Sequence, residues 1–225
     1  MKSFSWDAET KVRWDDRAHA WHENSKNMWD NGSRKDIIPF YRKYIPIGNI
    51  LDLGCGDGYG SFLLRSAGYR VTGIDLSEKM IEIAKLHSDT DLSFIQGNMM
   101  ELPFAEEEFS GAMAINSLEW TKQPLLALNE IKRVVKKGGF ACFGILGPTA
   151  GPRMNSFPRL EGNNFICNTM MPWEFIKLAT ENGWEHVAEK GVYKKGVAEK
   201  HLEGLSNELV QALSFMMLFI LRKQS

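Results

Sequence analysis

Apolar positions along this chain follow two periods. Between about residues 49 and 146, short apolar runs alternate with stretches of helical spacing. Ile50–Leu53, Arg70–Asp75, Leu92–Gln96, Phe109–Ile115 and Phe140–Leu146 read as strands, each a short apolar run bounded by turn-forming residues. After Gly58, over Glu78–Leu86 and over Pro124–Val135, apolar side chains recur three and four residues apart, as on one helix face. Ser77 opens the second of these helices, Gly68 stops the first, and Lys136-Lys137-Gly138-Gly139 closes the third. Strand–helix alternation of this kind predicts an α/β fold with a doubly wound, mostly parallel sheet.

The pattern differs at both ends. Residues 1–32 hold four of the seven tryptophans, interleaved with charges. Trp14, Trp21 and Trp29 are seven or eight apart, so they lie near one face of a helix. This is an amphipathic helix packed on the domain edge, and it is equally compatible with a lid whose aromatic face covers a pocket. Ser33 reads as a helix N-cap, and Asp36–Tyr44 as a helix that ends before Pro46. Past Leu146 the chain becomes irregular, with Gly147-Pro148, Gly151-Pro152, Phe157-Pro158 and Gly162-Asn163-Asn164. Ligands of open α/β sheets sit at the carboxyl ends of the strands, where this segment begins. Pro172–Asn182 then reads as a helix, Trp184–Lys190 as a strand, Glu199–Ala212 as a helix and Phe215–Leu221 as a buried strand. The expected organisation is an N-terminal helical lid over 1–45 and a cofactor-binding domain over 46–225, with a second lid segment inserted at about 147–171.

Composition narrows the class. The 225 residues are 44% hydrophobic and 24% charged, as in globular proteins, and the net charge is -1. Without a basic excess no nucleic-acid partner is implied. Cys55, Cys142 and Cys167 fit neither a disulfide framework nor a zinc site, which points to a reducing, cytoplasmic setting and no metal. Met1–Asp7 lacks an apolar leader core. The greasiest run, Leu213–Leu221, is far shorter than the roughly 20 residues of a membrane-spanning helix, so no membrane partner is expected.

The chemistry concentrates in Ile50-Leu51-Asp52-Leu53-Gly54-Cys55-Gly56-Asp57-Gly58, a strand that runs into alternate glycines. A turn without side chains lets backbone N–H groups approach a ligand, and a helix N-terminus follows it. The dinucleotide fingerprint needs a further glycine or alanine, but Tyr59 or Ser61 stands there, according to the register counted. No lysine ends the turn, so the phosphate loop of ATPases is absent as well. Asp52 would repel a pyrophosphate yet suit an ammonium group. Asp75 ends the second strand about 20 residues beyond the first glycine, where an acid can hold ribose hydroxyls. The ligand expected from these residues carries a ribose and an amino group and is not obviously phosphorylated.

Here the chain resembles the class I S-adenosylmethionine-dependent methyltransferases. The likeness lies in Leu51–Gly58, Gly73-Ile74-Asp75-Leu76-Ser77-Glu78-Lys79-Met80, Leu102-Pro103-Phe104, Asn116-Ser117-Leu118-Glu119-Trp120 and Leu128–Gly139, and covers about residues 48–146. It implies a seven-stranded, Rossmann-like sheet with a late antiparallel strand, and S-adenosylmethionine as cofactor. It also implies roles. Gly54, Gly56 and Gly58 let the backbone, with the small Cys55 among them, pass against the cofactor's amino-acid end, which Asp52 neighbours. Asp75 takes the ribose hydroxyls, and Leu76 and Met80 flank the adenine. Asn116, Ser117 and Leu118 line the methionine side. Asn98 and Met99 follow the third strand, where the family often has an acid that reads the adenine amino group. Asn98 departs from that pattern, although its amide oxygen can accept one hydrogen bond. Ser110 replaces the family's usual aspartate at a structural position.

Methyl transfer needs a nucleophile aligned with the methyl group and water excluded. No motif nominates a catalytic base. His19 and His22 lie three apart on one helix, with no further ligands for a metal. Trp14, Trp21, His22, Glu119 and Trp120 are the candidate acceptor contacts. The expected activity is methyl transfer to a small molecule of unidentified nucleophile. A cofactor-binding module without turnover would carry the same motifs.

Overall fold

The computed structural model describes residues 4–224; Met1–Ser3, part of the expected lid and of the leader reading, lie outside the described residues. Helices α1 (Trp6–Asp30) and α2 (Ile37–Tyr44) precede the sheet. Then come β1 (Asn49–Leu53), α3 (Tyr59–Ser66), β2 (Arg70–Asp75), α4 (Glu78–Ala84), β3 (Leu92–Gln96) and β4 (Phe109–Ile115). They are followed by α5 (Pro124–Val134), β5 (Val135–Leu146), α6 (Pro172–Glu181), β6 (Trp184–Tyr193), α7 (Asn207–Ala212) and β7 (Ser214–Lys223).

The seven strands form one sheet in the order β3-β2-β1-β4-β5-β7-β6. Pairs from β3 across to β5 are parallel, and β7 runs antiparallel to both β5 and β6. The order reverses direction between β1 and β4, which opens a crevice at their carboxyl ends.

Alternation along the strands feeds two cores. Ile50 packs with Ile37, Tyr41 and Leu64 on the side of α2 and α3, whereas Leu51 and Leu53 pack with Leu128, Ile131 and Phe175 on the side of α5 and α6. β7 does the same: Met216, Leu218 and Ile220 face one core, Met217, Phe219 and Leu221 the other. A strand covered on both faces needs apolar residues at every position, hence the unbroken run near the end of the sequence.

Several boundaries move for local reasons. Ser33 caps nothing; α2 starts at Ile37 after Asp36, whose backbone is already helical and whose side chain makes no cap. α4 stops at Ala84 and tightens into a 3-10 turn over Lys85–His87. β5 starts at Val135, directly after α5, and its pairing with β4 is irregular between Phe109 and Gly111. The single helix expected over Glu199–Ala212 is two pieces, a 3-10 turn Glu199–His201 and α7, separated by left-handed Gly204 (φ 75°) and extended Ser206. The irregular segment contains a 3-10 helix over Gly151–Glu161.

Candidate cofactor and acceptor site

At the end of β1 the chain turns through Gly54 (φ 66°), Gly56 (φ 56°) and Gly58 (φ 79°), all left-handed, a conformation that side-chain-bearing residues avoid. The amides of Gly54 and Cys55 donate to the Ile74 carbonyl at 2.8 and 3.1 Å, which hangs the turn on β2. A Cβ on Gly54 would overlap Ser117, and one on Gly58 would overlap Phe94 and Ala84. The glycines are therefore required by both backbone angle and space.

Asp75, at the end of β2, accepts from the Gly56 amide at 2.9 Å and from the Ser77 amide at 2.8 Å. Burial pushes its carboxyl up to about 6, against the pull of these hydrogen bonds, and Asp15 adds to the rise. The Ser77 hydroxyl caps α4 through the Met80 amide at 3.1 Å and donates to Asp15 of α1 at 2.6 Å.

Helix α1 lies across the open end of the sheet and is tied along its length. Trp6 Nε1 donates to the Trp120 carbonyl at 2.6 Å. Asn98 Nδ2 donates to Asp7 at 3.1 Å. Asp15 accepts from Ser77 and from the Lys79 amide. His22 Nδ1 lies 2.8 Å from Asp57, and Ser25 donates to the same carboxylate at 2.8 Å.

Under this helix is a cleft whose empty space, open solvent included, is about 820 Å³. One wall is aromatic: Trp120 meets Trp14 edge-on with centroids 5.2 Å apart, and Trp14 meets Trp21 at 5.5 Å. The Arg34 guanidinium continues the wall, 4.7 Å from the Trp21 ring and 5.5 Å from that of Trp29. Arg34 is buried, and among the described residues its side chain forms neither an ion pair nor a hydrogen bond. Burial lowers its guanidinium to about 10, opposed by Asp57, Asp52 and Glu119, so it remains a cation at neutral pH.

Most residues singled out by sequence converge here. Gly54, Cys55, Gly56, Asp75, Leu76, Met80, Asn98, Met99, Asn116, Ser117, Trp14, Trp21 and Trp120 line the cavity. Five others do not. Asp52 lies beneath the turn, where Ser61 donates to it at 2.6 Å and burial raises it to about 7. Gly58 packs on Phe94, away from the cavity. Leu118 is buried in the core on the α5 side. Glu119 is fully buried and accepts from the Leu146 amide at 2.6 Å, which ties the 118–120 turn to the end of β5; burial raises it to about 7. His22 is nearly half exposed and spends Nδ1 on Asp57. The Asn98 amide oxygen accepts from the Met100 amide at 2.9 Å.

Sequence reasoning missed Asp7, Thr10 and Arg34 as lining residues. Asp57 lay inside the glycine motif and Trp29 in the tryptophan series, but neither was assigned to the site. Among the described residues no group of three or more His, Cys, Asp or Glu is arranged to hold a metal, and no helix is long and apolar enough to cross a membrane.

The switch-point crevice, the glycine-rich turn and the acid ending β2 define a class I S-adenosylmethionine-dependent methyltransferase fold. Residues 51–143 match the family described as "Methyltransferase domain". The malonyl-[acyl-carrier protein] O-methyltransferase of Erwinia pyrifoliae is 38% identical over 97 residues, 43% of this chain and 37% of that protein. The demethylmenaquinone methyltransferase of Lactococcus lactis is 40% identical over 109 residues, 45% of this chain and 43% of that protein. The chain thus spans well under two thirds of these relatives' length. Among solved structures, the methyltransferase in complex with the Haloferax volcanii Trm112 activator superposes with a TM-score of 0.70 at 20% identity, over 94% of this chain and 98% of that one. A Methanosarcina mazei S-adenosylmethionine-dependent methyltransferase gives 0.65 at 21% identity, over 83% and 97%. Residues 51–143 are thus similar to methyltransferase domains, and the fold is the one seen in S-adenosylmethionine-dependent methyltransferases.

The residues present fit that family's cofactor, S-adenosylmethionine. Thr10 Oγ1, Asn116 Oδ1 and Ser117 Oγ belong to lining residues and are buried polar atoms without a hydrogen-bond partner among the described residues. Groups of this kind call for a ligand that bonds to them.

Proposed function

We propose that this protein transfers the methyl group of S-adenosylmethionine to a small molecule held beneath α1. The observation that carries this reading is the cavity, bounded by the glycine turn and Asp75 on one side and the indoles of Trp14, Trp21 and Trp120 on the other. Relatives named for demethylmenaquinone and for ubiquinone biosynthesis support an acceptor of low molecular weight.

In this reading Asp75 holds the ribose hydroxyls, Leu76, Met80 and Met99 flank the adenine, and Gly54–Gly56, Asn116 and Ser117 border the amino-acid end. The buried Arg34 guanidinium faces a carboxylate. The cofactor supplies an activated methyl on a sulfonium, so the chain's own task is to align the nucleophile and keep water out. The aromatic wall and the tethered α1 do both. This reading assigns no proton-transfer role to His22 or Glu119. Residues 4–45 and the 147–171 segment act as lids. The buried, unpaired state of Cys55, Cys142 and Cys167 supports work in a reducing compartment such as the cytoplasm, with no nucleic acid involved.

The test is incubation of the purified protein with methyl-labelled S-adenosylmethionine and fractionated small metabolites. Label appearing in a small-molecule product, and lost with Asp75→Ala, is the expected result. Cofactor binding without label transfer to any fraction would reduce the protein to a binding module.

A further inference from the structure

The adenine end of the cavity presents a problem of donors and acceptors. The side chains around it, Leu76, Met80 and Met99, are apolar and can sandwich a base but cannot read its edge. Asn98, the polar residue that β3 delivers there, is already engaged within the protein at both ends of its amide. Its oxygen accepts from the Met100 amide at 2.9 Å, and its amide group donates to Asp7 at 3.1 Å.

Two further polar side chains border the cavity, both on α1. Asp7 lines the cavity; one carboxylate oxygen takes the Asn98 bond, and the other takes no hydrogen bond among the described residues. Thr10, one helical turn on and so on the same face, is 4% exposed, and its hydroxyl has no partner. The helix is held on either side of this pair, by Trp6 on the Trp120 carbonyl and by Asp15 on Ser77. A buried hydroxyl without a partner is costly and is conspicuous when it borders a cavity.

We propose that α1 reads the adenine of the cofactor: Asp7 accepts from the exocyclic amine through its unused oxygen, and Thr10 donates to a ring nitrogen. This rests on the cavity being the S-adenosylmethionine site. An ionised carboxylate is acceptor-only and suits an amine, while a hydroxyl can turn its hydrogen toward an unprotonated ring nitrogen. Base recognition in this protein thus belongs to the helix that covers the cavity.

The Asp7–Asn98 bond makes the test directional. In Asp7→Asn the new amide must turn its oxygen to the Asn98 donor, which aims its NH₂ at the base, where it opposes an amine but suits a carbonyl. In Asp7→Asn with Asn98→Asp, residue 98 becomes the acceptor, the amide at 7 turns over, and its oxygen faces the base again. The probes are S-adenosylhomocysteine and S-inosylhomocysteine, which carries a 6-oxo group in place of the amine, titrated calorimetrically into the full chain. Wild type should prefer the adenosyl ligand by about ten-fold or more, the scale of one charge-assisted hydrogen bond. Asp7→Asn should lose or invert that preference, and the double variant should restore it. A preference unchanged in Asp7→Asn, or an equal loss of both ligands that the second substitution does not repair, would overturn the proposal. Binding of neither ligand by folded wild type would instead remove the cofactor reading beneath it.

Discussion

Asp52, Asp75 and Glu119 share one physical circumstance: burial raises all three carboxyls, to about 7, about 6 and about 7. In the unfolded chain such groups titrate near about 4. Between those limits the folded protein binds more protons than the unfolded one, so stability present at about pH 4 is lost as pH rises through the folded values. Melting temperatures of the ligand-free protein should therefore fall from pH 5 to pH 8. Asp52→Asn, which keeps an oxygen for Ser61 to donate to, should flatten that slope. A slope unchanged in this variant would show that Asp52 is not among its causes. Arg34 offers a second expectation at this scale. A guanidinium buried between two indoles without an anion needs one, and the amino-acid end of the cofactor carries a carboxylate. Arg34→Met should weaken S-adenosylhomocysteine by about ten-fold or more, yet leave 5′-methylthioadenosine, which lacks the carboxylate, unchanged. Equal weakening of both by calorimetry would assign Arg34 to packing instead.

The glycine turn and α1 are the elements that make the site. Gly58 is fixed by its left-handed backbone and by the closeness of Phe94 and Ala84. Gly58→Ala should cost about 1–2 kcal/mol for the backbone alone, with overlap adding to it, measurable as a lower denaturant midpoint. A neutral result would mean that the turn relaxes freely. The turn was legible in the sequence because glycine there answers a local demand, and the same holds for the alternation of strands and helices. The tryptophan spacing likewise marked α1 and its aromatic face. What α1 does with its polar residues was not legible. Asp7 meets Asn98 across 91 positions, and no period or motif announces such a pair. Arg34 was hidden for another reason: the chain folds back just after α1, where the Arg34 amide donates to the Met28 carbonyl at 3.0 Å, and only that turn sets the guanidinium against Trp21 and Trp29. Glu119 and His22 show the converse: adjacency to a motif suggested pocket residues, whereas the backbone turns one into the core and the other toward Asp57.

At the scale of the whole molecule, the sheet places β1 and β4 side by side at the point where strand order reverses, and α1 covers the crevice. The parallel half of the sheet followed from the strand–helix rhythm. A late antiparallel strand came only from the family likeness, and the place of β7 between β5 and β6 was not read at all, because a fully buried strand carries no alternation to reveal its neighbours. The central claim is that this crevice binds the methyl donor. Calorimetric titration of S-adenosylhomocysteine into wild type and Asp75→Ala tests it most directly. The account expects dissociation constants of micromolar order, about -8 kcal/mol, for wild type and a loss of at least about ten-fold in the variant. No heat with folded wild type, or equal affinity in Asp75→Ala, would contradict it.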